Sequence, residues 1–294
     1  MDLPQELISS IISHACRDRS TLYNLCLVSR AFLPEARRYL YRRLVITAKF
    51  DPQSYWIPYG CFVVRDNNHI NPLLLTLTHL NPLMCRYINT FVYVADFSNI
   101  SKQELSAMLN SSLRAMVNLK DLSLFHLALS LSEIVNGCTF SLDTIRYVAL
   151  FKLNDPDMHA SEQFHEFISQ QPTLKRMMCI IPGSEKDSWT PWPAETSLRQ
   201  LQYLAGDIRT IKLILPASST ANMLLSIPWG PMKITIPSGL RSRLGAIRSL
   251  CLQLNPFWDS DHDPLQPLLH PFQQLRILHI SVSSEVVSVI CTRW

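Results

Sequence analysis

Pairs of apolar residues spaced i, i+2 return at intervals along most of the chain: Phe91-x-Tyr93, Leu122-x-Leu124, Val148-x-Leu150, Met177-x-Cys179, Ile211-x-Leu213, Leu250-x-Leu252 and Leu278-x-Ile280. Alternation places both members of a pair on one face of a β-strand. Successive separations are 31, 26, 29, 34, 39 and 28 residues, room for one strand, one turn and one helix. A single strand and helix cannot bury their own apolar surfaces. Such units must therefore stack on their neighbours, with the strands aligned in a parallel sheet that lines one curved face.

The fuller pattern is Leu113-x-x-Met116-x-x-Leu119-x-x-Leu122-x-Leu124, which recurs as Leu142-x-x-Ile145-x-x-Val148-x-Leu150 and Phe272-x-x-Leu275-x-x-Leu278-x-Ile280. Between strands, Ser101 to Leu109, Ala160 to Gln170 and Asn222 to Ile227 are expected as helices on the convex side. Pro172 ends one such element, and Leu174 begins the next inward-pointing ladder. The last stretch, Ser283 to Trp294, is expected to start a further convex helix, leaving Val286, Val287, Val289, Ile290 and Trp294 in need of a packing partner. A doubly wound α/β domain is the competing architecture. No glycine-rich fingerprint follows any strand, however, and seven glycines in 294 residues make a phosphate-cradling loop unattractive.

The first 46 residues have a different character. Pro4 suits a helix start and Glu6 the positive end of its dipole, and Leu7, Ile8, Ile11, Ile12 and Ala15 then recur at helical spacing. Asp18 or Ser20 is placed to cap a second short helix carrying Leu22, Leu25, Cys26 and Val28. A third is expected from about Ala31 or Leu33 through Leu44, with Phe32, Leu33, Ala36, Leu40 and Tyr41 inward and Arg37, Arg38, Arg42 and Arg43 mostly outward. Three helices this short bury little surface, and adjacent pairs such as Leu7-Ile8 and Ile11-Ile12 widen the apolar faces beyond one seam. Apolar area is left over for a neighbour or a partner.

The order Leu3-Pro4-x-Glu6-Leu7-Ile8-x-x-Ile11-Ile12, then Leu22-x-x-Leu25-x-x-Val28-Ser29-x-x-Phe32, then Leu40-Tyr41-x-x-Leu44, resembles an F-box. Ser29 stands where many members have Cys, and Phe32 where many have Trp. The resemblance implies docking on the Skp-type adaptor of an SCF, cullin-RING ubiquitin ligase, through Leu3, Pro4, Leu7, Ile8 and Ile11 in the first segment and Leu25 and Val28 in the second helix. The remainder is similar to the leucine-rich, strand-helix C-terminal regions of fungal F-box proteins. The fold expected is therefore an α/β chain: an N-terminal three-helix F-box (1–46), an irregular connector (47–71) around a short "CFVV" strand, and a leucine-rich-repeat-like α/β solenoid with parallel strands (72–294) for substrate recognition.

Composition agrees with an interaction protein. Hydrophobic residues make up 47% and charged residues 17%, which excludes a mainly disordered chain and leaves a surface poor in charge. The formal charge is +4, and all of the excess lies in Met1 to Phe50, where eight basic residues face four acidic ones. Arg37-Arg38 and Arg42-Arg43 then read as a basic face for an acidic protein or for solubility rather than as a nucleic-acid site. The N-terminus lacks the pattern of a signal peptide, and the apolar stretch Leu113 to Val135 is broken by Lys120, Asp121 and Glu133, so no membrane partner is expected. Eight cysteines without a CxxC pair fit a reduced, cytoplasmic or nuclear chain.

Catalytic and metal motifs are largely missing. Asp259, Asp261 and Asp263 have the opening spacing of a calcium loop, but Pro264 stands where a glycine is needed and His270 where a bidentate carboxylate is needed. His159 and His165 with Glu162 and Glu166 do not form HExxH, His262 and His270 have no cysteine pair, and no GxSxG elbow occurs. His79 and His126 lie in apolar runs and read as structural. No cofactor is expected. Trp189 and Trp192, flanked by Pro191 and Pro193, and the aromatics Tyr55, Trp56 and Tyr59 are the weaker candidates for a substrate contact patch. The expected function is a non-catalytic substrate adaptor, reached through the Skp-type adaptor by cullin and RING subunits. Its rivals are an F-box protein with a regulatory or decoy role and an α/β enzyme with a concave polar pocket.

Overall fold

Pro4, with an extended backbone, accepts hydrogen bonds from Leu7 N and Ile8 N and so opens helix α1 (Gln5–Ala15). The structure is a computed structural model, and it describes residues 3–16, 18–47, 61–65, 67–94, 102–127, 129, 131–149, 162–180, 198–218, 220–226, 240–254, 269–282 and 285–290. The chain divides into two compact units, Met1–Leu142 and Asp143–Trp294.

In the first unit, Asp18 caps helix α2 (Arg19–Val28) by accepting from Ser20 N at 3.0 Å and Thr21 N at 3.3 Å. Hydrogen bonding from the Thr21 hydroxyl, then from the Ser20 backbone, holds the Asp18 carboxyl below its ordinary value. Helix α3 (Leu33–Leu40) begins with Pro34 in its first turn. Ile8, Ile12, Leu22, Ala36 and Leu40 close into one core, with Ala15, Leu25, Cys26, Phe32, Tyr39 and Tyr41 packed around it. The small Ala36 side chain, fully buried, lets α3 approach its neighbours. The third helix stops at Leu40 rather than Leu44, because Arg43 onward is claimed by a strand.

That strand, β1 (Arg43–Thr47), pairs in parallel with β2 (Phe62–Val64) on one side and β3 (Thr90–Val94) on the other, and β4 (Asp121–Leu127) lies parallel beyond β3. The guanidinium of Arg19 sits 4.6 Å from the Phe62 ring centroid, and the Tyr41 ring lies 5.4 Å from Phe62, so the helical module is stitched to the edge strand. Helix α4 (Asn67–Leu75), with Pro72 inside it, starts within the segment expected to be irregular. Helix α5 (Lys102–Ala115) bears out the helix expected from Ser101 to Leu109 and runs on to Ala115. After the short helix α6 (Leu131–Val135) comes Gly137 at φ +70°, where a side chain would be strained. Asn110 Nδ2 completes this helix end by donating to the carbonyls of Glu133, Ile134 and Asn136 at 3.1, 2.9 and 2.8 Å.

The second unit carries β5 (Thr144–Ala149), β6 (Arg176–Ile180), β7 (Tyr203–Gly206), β8 (Asn222–Ser226), β9 (Ser249–Leu254) and β10 (Ile277–Val282), each parallel to the next in chain order, with β11 (Glu285–Ile290) antiparallel to β10. Its helices are α7 (Glu162–Ser169), α8 (Ile208–Ile214) and α9 (Arg241–Gly245). One turn recurs ahead of the strands. The carbonyl of Asp143 accepts both Lys175 N and Arg176 N, that of Lys175 both Gln202 N and Tyr203 N, that of Ala221 both Arg248 N and Ser249 N, and that of Arg248 both Arg276 N and Ile277 N. Both lone pairs of each oxygen are thus used, which locks the register from one strand to the next.

Four expectations are corrected here. The inward pair on β5 is Ile145-x-Tyr147, in register with Met177-x-Cys179; Val148, expected to open the inward pair, takes the alternate position beside Ile180, and Leu150 lies outside the described residues. Ile211 and Leu213 lie on helix α8, whose Asp207 cap accepts from Thr210 N at 2.8 Å; the strand there is β7. Asn222 to Ser226 is strand β8, not a helix, which divides the 39-residue step between two units. Glu285–Ile290 is a strand hydrogen-bonded to β10, not a convex helix. Among the described residues no helix is long and apolar enough to cross a membrane.

Candidate functional site

Core closure in the helical module leaves a definite remainder. Ile8 is 2% exposed and Ile12 fully buried, whereas Leu7 and Ile11, four residues apart along one side of α1, are 50% and 42% exposed, and Leu3 in the chain just ahead of the helix is 48% exposed. On α2 the exposed apolar side chains are Tyr23, Leu27 and Val28, the last at 75%. Pro4 is exposed as well. Two of the residues named from sequence sit differently: Ile8 is sealed in the module's own core and has no surface to offer, and Leu25 is half-buried against the same core. Tyr23 and Leu27 were not singled out from sequence, although their spacing of four along α2 carries the signal.

A second surface lies on the side of the second unit's sheet that faces away from its helices. Register sets Arg146, Met178, Ala205, Leu224, Cys251 and His279 side by side across β5 to β10. Five of these six are half-buried, while the rows on either side of Ile145 and Tyr147 are core. A neighbouring row holds Arg176, Tyr203, Asn222, Ser249 and Ile277. Burial, reinforced by Cys251, pushes the Tyr203 phenol up to about 12, with Arg146 acting in the opposite direction. At about 4.8 Å per strand the row spans roughly 24 Å, the length of a short extended peptide or the edge of a folded domain. Its mixture of half-exposed thioether, aliphatic, guanidinium and phenol groups suits protein contact.

Burial pushes the thiols of Cys61 and Cys85 up to about 11, that of Cys138 up to about 12 and that of Cys179 well above its usual value, leaving them protonated and weakly nucleophilic at neutral pH. The seven described cysteines are free thiols. Among the described residues no group of three or more His, Cys, Asp or Glu is placed to hold a metal ion. Trp189, Trp192, Tyr55, Trp56, Tyr59 and the Asp259–Pro264 stretch lie outside the described residues. No family model matches the chain, and no curated protein matches it in sequence.

Proposed function

We propose that this chain is a substrate-recognition adaptor of an SCF-type, cullin-RING ubiquitin ligase. Its first three helices act as an F-box and the strands beyond them as a leucine-rich-repeat-like array. The observation that carries the reading is the division of α1: Ile8 and Ile12 close the module's core while Leu3, Leu7 and Ile11 remain about half exposed beside it. A module so small that kept this much apolar surface in water without a partner would spend a large part of its stability doing so. From β5 to β10, parallel strands adjacent in chain order, with one carbonyl accepting two backbone bonds at the turn ahead of a strand, support the stacked array.

In this role the chain makes and breaks no covalent bond. Leu3, Pro4, Leu7, Ile11 and Val28 grip the Skp-type adaptor, and the row from Arg146 to His279 presents a protein substrate. Holding the substrate beside a ubiquitin-charged enzyme raises the effective concentration of acceptor lysines. Copurification with the adaptor tests the docking half. Leu7→Asp together with Ile11→Asp places two carboxylates against an apolar interface and is expected to abolish binding while Ile12 and Leu22 keep the module folded. Unchanged binding overturns the assigned face. An adaptor complex that forms, yet leaves the half-lives of its bound proteins unchanged when ubiquitylation is blocked, assigns the chain a non-degradative role instead.

A further inference from the structure

Four cationic side chains from three separate segments of the first unit open onto one cavity of about 350 Å³. Arg38 lies on α3, Arg42 in the turn after it, Arg86 in the tight turn ahead of β3, and Lys120 in the turn ahead of β4. The backbone holds them together. Asn89 N and Thr90 N donate to Arg42 O at 2.8 and 3.1 Å, and Lys120 N and Asp121 N donate to Asn89 O at 2.8 and 3.0 Å, so Arg42, Asn89 and Lys120 form a column across the starts of three adjacent strands. Asn118 Nδ2 donates to Arg86 O at 2.8 Å and fixes the turn that presents the Arg86 guanidinium.

The charge in this cavity is poorly compensated. No carboxylate is among its lining residues. Arg38 has Glu35 at 3.7 Å, a loose contact with the arginine side chain 65% exposed, and Lys120 Nζ donates to Ser141 O at 3.1 Å, leaving further N–H bonds to spare. Among the described residues Arg42 and Arg86 make no ion pair. Asp121, next to Lys120 in the chain, accepts a hydrogen bond from Thr90 Oγ1 at 3.3 Å. Converging like charges repel, and a walled cleft concentrates their field. Guanidinium forks match phosphate oxygens two at a time.

We propose that this cavity binds a compact, free oligophosphate anion. One phosphate group carries about −1.5 to −2 charge at neutral pH, which offsets two of the four cations; neutralising all four takes two or three linked phosphates. A volume of about 350 Å³ lies at the small end of ligand cavities and admits such an anion without a long organic attachment. The site is independent of the adaptor-docking face on α1 and does not rest on the ubiquitin-ligase reading.

Titration calorimetry of the 294-residue chain at physiological salt tests the assignment, with inorganic tripolyphosphate as the probe and orthophosphate and sulfate as comparators at matched ionic strength. Tripolyphosphate is expected to bind one to one and at least about tenfold more tightly than orthophosphate. Arg42→Gln with Arg86→Gln is expected to weaken it by about thirtyfold or more, and Arg42→Lys with Arg86→Lys by less, because charge survives and the fork does not. Arg241→Gln, at an exposed position on α9 in the other unit, should change binding by less than about twofold. Should the glutamine variant fail to fold, thermal melting of the unaltered protein decides: its midpoint rises with tripolyphosphate and not with sulfate. Absence of saturable binding, equal affinity for sulfate, or an equal loss in Arg241→Gln overturns the proposal. So does a singly phosphorylated peptide that binds as tightly as tripolyphosphate, which would transfer the site to a protein ligand.

Discussion

Neighbouring residues on α1 should lose very different amounts of stability on truncation. Ile8 is 2% exposed and packs among Ile12, Leu22, Ala36 and Leu40, so Ile8→Ala removes buried carbons and leaves a void that three short helices refill only in part. Such losses cost about 3 kcal/mol, a factor of roughly 100 in the local opening equilibrium. Leu7 is 50% exposed, so Leu7→Ala forfeits only the buried half of a side chain worth about 2 kcal/mol, leaving no closed cavity. That loss is about 1 kcal/mol, or roughly fivefold. Hydrogen exchange read by mass spectrometry on the 294-residue chain measures both. The amides at the C-terminal end of α1 should lose about two decades of protection in Ile8→Ala and less than one in Leu7→Ala. Affinity for the proposed Skp-type adaptor should show the reverse emphasis per unit of stability lost, since the exposed half of Leu7 is what a partner would cover. If Leu7→Ala costs as much protection as Ile8→Ala, the separation of core from docking face on α1 is wrong, and the functional argument built on it fails.

Other elements of the fold make equally definite demands. A Cβ on Gly206 would stand 2.6 Å from the Cys179 carbonyl oxygen and 3.0 Å from Thr210 Cβ, so Gly206→Ala must push β7 from β6 or tilt α8; a cost of about 1–3 kcal/mol should appear as a lower thermal midpoint. Asn110→Ala withdraws the amide that binds three carbonyls at the end of α6 and should cost about 1–3 kcal/mol, read as faster exchange around Gly137. The buried thiols set an alkaline limit. Cys61, Cys85 and Cys138 are raised from an ordinary 9.0 to about 11, 11 and 12, so their contribution is complete below pH 9 and is lost as pH climbs through those values; denaturant midpoints should be flat to about pH 8.5 and fall above it. Replacing Cys138 by Ala should soften that fall.

Period-2 alternation bounded by turn residues was enough to place strands at Phe91, Leu122, Met177, Leu250 and Leu278, because each such run admits one strand register with a buried face. Helical spacing likewise marked α1, α2, α5 and α7, and the Asp18 cap was visible as a residue type in the right place. From Ile145 to Leu150, apolar residues satisfy two alternations at once. Only the pairing of Ile145 with Met177 and of Tyr147 with Cys179 selects between them, since a strand's face is chosen by its neighbours. Around Ile211 the same ambiguity runs between periods: Ile208, Ile211 and Ile214 are buried at helical spacing, and Asp207 directly after Gly206 carried the start signal that the i, i+2 pair concealed.

The site divides along the same line. Apolar residues at positions 3, 7, 8, 11 and 12 were enough to require a wide face on the first helix, by composition and spacing alone. Which of them face inward was decided by α2 and α3, whose Leu22, Ala36 and Leu40 claim Ile8 and Ile12 and leave Leu3, Leu7 and Ile11 in water. The cationic cavity went further beyond the reach of sequence, because Arg42, Arg86 and Lys120 are far apart along the chain and meet only where strand-to-strand hydrogen bonds bring three turns into one column. Local pattern encodes what a segment prefers; burial and convergence belong to whatever packs against it.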